Sequence, residues 1–186
     1  MPRHRDLTGP EDLTPEDLRP LVGGEGPTFA SAMFAIGTWG ASTAFREHLL
    51  AASDFPLPGD VPALLVINQL IYRGVASPTD LADAVDTGRS NLSKIVDRLT
   101  RAGLVVRIAN PYDRRSVAIA LTSKGRAVAS RIIDAAASLN TPAGPDWTAQ
   151  DTVDLERLLV KLARALDALP NHPLSTAAGV DLEPDH

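Results

Sequence analysis

SPTDLADAVDTGRSNLSKIVDRLTRAG, residues 77–103, decides the fold. Ser77, Pro78 and Asp80 set up a helix start. They offer a hydroxyl to cap it, a proline that needs no N–H in the first turn, and an acid at the positive end of the helix dipole. Leu81, Ala84 and Val85 give this helix its buried face. Asp86-Thr87-Gly88 breaks it after about eight residues. A second helix is predicted at once over 89–103, where Leu92, Ile95, Val96 and Leu99 fall at i, i+3, i+4 and i+7. Gly103 ends it.

Downstream, LVVRI (104–108) and SVAIAL (116–121) read as two strands. Val117, Ile119 and Leu121 alternate with Ser116, Ala118 and Ala120. Between them lies ANPYDRR, with Asn110-Pro111 as the turn signal. Thr122 caps a further helix reaching to about Asn140. TPAGPDW is a break. A last helix is expected over 148–169, with Leu155, Leu158, Leu159, Leu162, Leu166 and Leu169 in a wide stripe. Residues 170–186 read as a tail.

Upstream, 61–73 forms an apolar helix with Pro62 in its first turn and Gly74 as its stop. DFPLPGDVP (54–62) is a clear break, and 29–53 reads as one helix. Gly37 and Gly40 weaken that helix by roughly 1 kcal/mol each relative to alanine. Residues 1–28 are rich in proline, carry PEDL twice, and read as an arm.

The 186 residues suit one domain with extensions, and 44% hydrophobic residues suffice for a core. There is no cysteine, which excludes disulfides, thiolate metal sites and thiol redox sensing. His4, His48, His172 and His186 are scattered, so no metal or other cofactor is expected. No apolar run approaches ~20 residues, so the expectation is a cytoplasmic protein with no membrane partner. No phosphate loop and no nucleophile with a plausible base is visible, so no enzyme is expected.

The net charge is −5, yet its distribution is uneven. Residues 77–126 hold nine Lys/Arg against five Asp/Glu, a net of +4. The remainder holds nine against 18, a net of −9. A basic block therefore sits inside an acidic chain.

Two helices joined by a tight turn, then a basic-tipped hairpin, make a winged helix-turn-helix. The predicted fold is mainly α, with a two-stranded wing on residues 61–126 and an all-helical dimerisation region from 29–53 and 127–169. A helix fits the DNA major groove and presents side chains to base edges. With the Leu92–Leu99 stripe inward, the outer face carries Arg89, Ser90, Asn91, Ser93, Lys94 and Arg98. Arg, Lys and Asn suit guanine and adenine edges, and serine hydroxyls suit phosphate. Arg98 has a second reading, as an internal ion-pair partner. Asp97 reads as a solvated or paired acid. At the wing tip, a narrow minor groove attracts arginine. Arg115 is the projecting candidate and Asp113 the organiser, and Arg114 can exchange roles with Arg115.

These motifs resemble the MarR family of bacterial transcription regulators. The wing matches as Asp113-Arg114-Arg115, SVAIA, then Leu121-Thr122 with Gly125 following. The end of the second helix matches as Leu99, three residues, then Gly103-Leu104-Val105. The resemblance is specific over 77–126 and architectural over 29–169. It implies a homodimeric, sequence-specific regulator on a pseudo-palindromic double-stranded DNA operator, most simply a repressor released by a small aromatic or hydrophobic effector. Trp39, Phe45, His48 and Tyr72 are the candidate pocket residues. The arm at 1–28, the long break at 53–62 and the tail depart from the family pattern. The competing reading is a winged-helix module that binds protein without specific DNA binding.

Overall fold

The computed structural model describes residues 26–111, 115–140 and 144–179. The twin PEDL segments and nearly all of the expected arm lie outside these residues, as do Asp113 and Arg114. The chain divides into two compact units, residues 1–45 and 46–186.

The first unit carries α1, Phe29–Ala41. Thr28 and Ser31 cap it reciprocally. The Ser31 N–H donates to Thr28 Oγ1 at 3.1 Å and the Thr28 N–H to Ser31 Oγ at 2.7 Å. The helix stops at Ser42, whose backbone is extended (φ −71, ψ 151). Its hydroxyl accepts the Phe45 N–H at 3.1 Å and starts α2, Thr43–Ala52. The single helix expected over 29–53 is therefore two. Gly40 lowers helix propensity beside a serine that offers the backbone a competing partner. Trp39 and Phe45 bridge the break edge to face, with ring centroids 5.4 Å apart.

The second unit is built around α3, Val61–Arg73, which buries Ala63, Leu64, Val66, Ile67 and Leu70. Asp60 caps it through the Ala63 N–H at 3.1 Å, and Gly74 at φ +67 stops it. Ser77 caps α4, Pro78–Ala84, as the sequence indicates. Helix α5, Arg89–Arg101, buries the expected Leu92, Ile95, Val96 and Leu99. Strands β2, Val105–Ala109, and β3, Val117–Leu121, form the antiparallel wing hairpin, with Val105 opposite Leu121 and Ala109 opposite Val117.

The sheet has a third strand that the sequence did not reveal. β1, Val75–Ala76, pairs with β3 on its other edge, giving the order β1-β3-β2. Two residues are too few for alternation to show. The expected alternation along β3 is also broken. Val117 is 49% exposed, while Ala118 and Ile119 are both buried. Both faces of β3 are therefore covered at its middle, where a strict in–out pattern no longer applies.

Helix α6, Ser123–Asn140, starts where Thr122 Oγ1 accepts the Gly125 N–H at 2.9 Å and donates to the Gly103 carbonyl at 2.6 Å. Helix α7, Ala149–Asp167, is capped by Thr148 and Asp151. It leaves Val153, Leu158, Leu159, Val160 and Leu166 exposed. Part of the segment read as a tail is ordered instead, because Pro173–Ala178 form helix α8. Its short apolar content gave no periodic signal. No helix among the described residues is long and apolar enough to cross a membrane.

Candidate nucleic-acid interface

The turn between α4 and α5 is tight because Asp86 takes φ +47, a left-handed conformation that aspartate tolerates better than most residues. The Thr87 N–H then closes on the Ala82 carbonyl at 2.9 Å. Gly88 begins α5 with no side-chain cap. The first N–H groups of α5 thus have no side-chain cap from Gly88 at the positive end of the helix dipole, a chemistry suited to phosphate.

The outward face of α5 presents Arg89, Ser90, Asn91, Ser93 and Lys94, all exposed. Five of the six helix residues expected to meet DNA therefore share a solvent-facing surface. Asn91 is oriented from below, its Nδ2 donating to Thr87 Oγ1 at 2.8 Å. That bond uses one amide hydrogen and leaves the second, and Oδ1, able to make further hydrogen bonds. Thr87 was read only as a helix breaker, and no sequence signal marked its role as the Asn91 partner.

Arg98 differs from these five. Its Nε donates to Asp60 Oδ2 at 2.7 Å and its Nη2 to Asp60 Oδ1 at 3.0 Å, a two-pronged pair. The Asp60 side chain is 16% exposed. Arg98 therefore ties α5 to the first turn of α3, and the second reading of this residue holds. Burial pushes the Asp60 carboxyl up. The Arg98 hydrogen bond, the Ala63 N–H and the Arg98 charge outweigh burial and hold it below its ordinary range. The same hydrogen bond raises Arg98 further. Asp97 is the paired acid expected, with Arg107 of β2 at 3.4 Å. Asp60 was read only as part of the 54–62 break, and nothing in the sequence marked its partner 38 residues away.

At the base of the wing, the Asn110 N–H donates to the Ser116 carbonyl at 2.9 Å and Asn110 Nδ2 to Ser116 Oγ at 3.1 Å. These bonds close the loop that carries Arg115, which is exposed. The organising role expected of Asp113 and the alternate role of Arg114 lie outside the described residues.

The candidate pocket residues fall in different surroundings. Trp39 and Phe45 meet each other, as above. His48 lines a concavity of about 360 Å³ with Ala52, Arg131, Asp134, Ala135 and Leu139. Tyr72 does not line it and is 55% exposed on α3. Among the described residues, no group of three or more His, Asp or Glu is placed to hold a metal ion.

Comparison with known proteins gives consistent results. A sequence profile described as the MarR family matches residues 58–116. Over 118 residues the chain is 30% identical to the multiple antibiotic resistance protein MarR of Escherichia coli K12, covering 63% of this chain and 82% of that one. Over 90 residues it is 33% identical to the HTH-type transcriptional regulator PecS of Dickeya dadantii, covering 48% of this chain and 51% of that one. The chain thus spans about half the length of several curated relatives that it matches. Among solved structures, the transcriptional regulator Tm0710 of Thermotoga maritima superposes with a TM-score of 0.56 at 18% identity, over 75% of this chain and 94% of that one. That likeness concerns the fold.

Proposed function

The chain belongs to the MarR family, and on that premise we propose that it is a homodimeric, sequence-specific DNA-binding transcription regulator that represses until a small molecule releases it. The observation that carries this reading is the two-sided character of α5. Leu92, Ile95, Val96 and Leu99 are buried, while Arg89, Ser90, Asn91, Ser93 and Lys94 stand exposed on the opposite side. A winged module that binds protein has no need of base-reading side chains on one surface.

Dimerisation is supported by two apolar helices that are each left open. In α1, Phe29, Met33, Phe34, Ile36 and Trp39 are exposed. In α7, Leu158, Leu159 and Leu166 are exposed as well. Large apolar patches of this kind mark interaction surfaces. A two-fold dimer places two α5 helices about one DNA turn apart, ~34 Å, and favours a palindromic operator.

For the effector we propose the concavity between α2 and α6. His48, Arg131 and Asp134 supply polar contacts, and Ala52, Ala135 and Leu139 supply an apolar floor. This mixture suits a small amphipathic molecule with an aromatic or aliphatic body.

Selection of bound fragments from random genomic DNA tests the proposal. Enriched fragments should share an inverted repeat with half-sites about one turn apart, and sedimentation should give a dimer. Enrichment without any common sequence would overturn specific regulation and favour the protein-binding module.

A further inference from the structure

The C-terminal segment makes contacts that the regulator reading does not use. Helix α7 runs to Asp167, and the chain then turns back through Asn171 (φ +74) and His172 (φ +45). Both lie in the left-handed region that non-glycine residues seldom occupy. The reversal lays α8 against α3 as well as against α7.

Both ends of α8 are gripped by a charged side chain. At its start, Asp167 accepts the N–H groups of Leu174 and Ser175, each at 2.9 Å, and the Ser175 hydroxyl. The Asp167 side chain is 12% exposed. At its end, Arg73 Nη2 donates to the carbonyls of Thr176 at 3.1 Å and Ala177 at 2.6 Å. Arg73 is itself steadied by its Nε, which donates to Gln69 Oε1 at 3.0 Å. The chain then leaves α8 through Gly179 at φ +71, pressed against the Arg73 side chain. A Cβ at Gly179 would lie 2.4 Å from Arg73 Cγ. A side chain there must displace the arginine and also adopt a strained backbone.

Asp167 is the last residue of α7 and Arg73 the last of α3. Arg73 also lies just before β1 and α4, so α8 ties the end of the leucine-rich helix to the root of the helix-turn-helix. We infer that α8 is a clasp that fixes the helix-turn-helix relative to α7, with Arg73 and Asp167 as positioning residues that set the half-site spacing the dimer accepts. The inference rests on the homodimeric reading above. If α7 carries dimer contacts, its angle to α3 sets the separation of the two α5 helices. A closed clasp holds that separation to one value. An open one lets each helix-turn-helix swing on its linkers and follow a shifted half-site.

The test compares full-length wild type with Arg73→Ala and Gly179→Ala, which attack the clasp from opposite sides. Each protein is titrated against the selected operator, against operators with one base pair added or removed between half-sites, and against a duplex with a single half-site. Each added pair moves a half-site about 3.4 Å along the axis and rotates it. For wild type, the shifted operators should bind about tenfold more weakly or worse, as when a good base contact is lost. For both variants this penalty should shrink to about threefold or less, while single half-site affinity stays at the wild-type level. Arg73→Lys, whose ammonium can still reach the carbonyls but has no Nε to bond Gln69 and hold it in place, should fall between. A clasp that serves stability alone would lower the melting temperature and leave the spacing penalty unchanged, and that result overturns the inference. A wild type that is monomeric, or indifferent to spacing, would instead overturn the homodimeric reading on which the inference stands.

Discussion

Arg98 of α5 donates two hydrogen bonds to Asp60, the residue that caps α3 through the Ala63 N–H. One carboxylate thus starts the central core helix and holds α5 against it. The two partners should not be equivalent. Asp60→Ala removes both the cap, worth ~1 kcal/mol, and the pair, worth up to about 1 kcal/mol at this exposure. Arg98→Ala leaves the cap in place and should cost only the pair. Urea denaturation of the two single variants and the double variant should place Asp60→Ala clearly below Arg98→Ala. Equal losses would mean that the cap contributes nothing.

Acid should erase the Asp60 contribution. Its carboxyl is held below the ordinary aspartate value of 3.8 in the folded chain. A depressed folded value means the stabilisation is complete above the ordinary value and disappears as pH falls through the lower folded one. The stability gap between wild type and Asp60→Asn should therefore be constant from about pH 7 to pH 5 and close below about pH 4. Denaturation curves across that range measure it. A gap that widens on acidification would contradict the assignment.

Gly125 is fixed by close approach. A Cβ at this position would lie 1.9 Å from the Leu104 carbonyl oxygen and 3.0 Å from its carbon. The clash is with backbone, which cannot rotate away. Gly125→Ala should therefore destabilise by about 3 kcal/mol, the upper end of overpacking costs, even though alanine is the better helix former. A thermal melt decides this, and an unchanged melting temperature would show that α6 can shift away from Leu104.

Much of this was legible in the sequence, for reasons that particular residues make clear. Helix starts at Ser77 and Thr122 carry local capping chemistry, so their signals sit within a few residues. The buried face of α5 follows from helical spacing alone. The Leu-Thr-x-x-Gly motif was visible at 121–125, but its cause, the contact of Gly125 with Leu104, is tertiary. The same limit hid the Arg98–Asp60 pair and the docking of α8, whose partners lie 38 and about 100 residues apart, while the Asn91–Thr87 bond is local but carries no motif. Strand β1 escaped because two residues carry no periodicity. The split at Ser42 escaped because apolar residues continue on both sides of it.

Asn91 and Lys94 should carry sequence discrimination, whereas Arg98 should not. Asn91→Ala and Lys94→Ala should each lose roughly 1–3 kcal/mol of preference between the operator and a base-substituted operator. Arg98→Ala should keep that preference and lose stability instead. Competition binding with the three variants separates the roles. Full discrimination in the Asn91 and Lys94 variants would remove α5 as the base-reading helix.

The central claim is specific recognition of DNA by a dimer built on α5 and the wing. Its most direct measurement is a fluorescence titration of the full-length protein against the DNA upstream of its own coding sequence and against a scrambled duplex, repeated at several salt concentrations. Tight binding of two chains to the upstream duplex, far weaker binding to the scrambled one, and a steep fall of affinity with salt are expected, since each neutralised phosphate releases counterions. Equal, weak binding of both duplexes at low salt would contradict it.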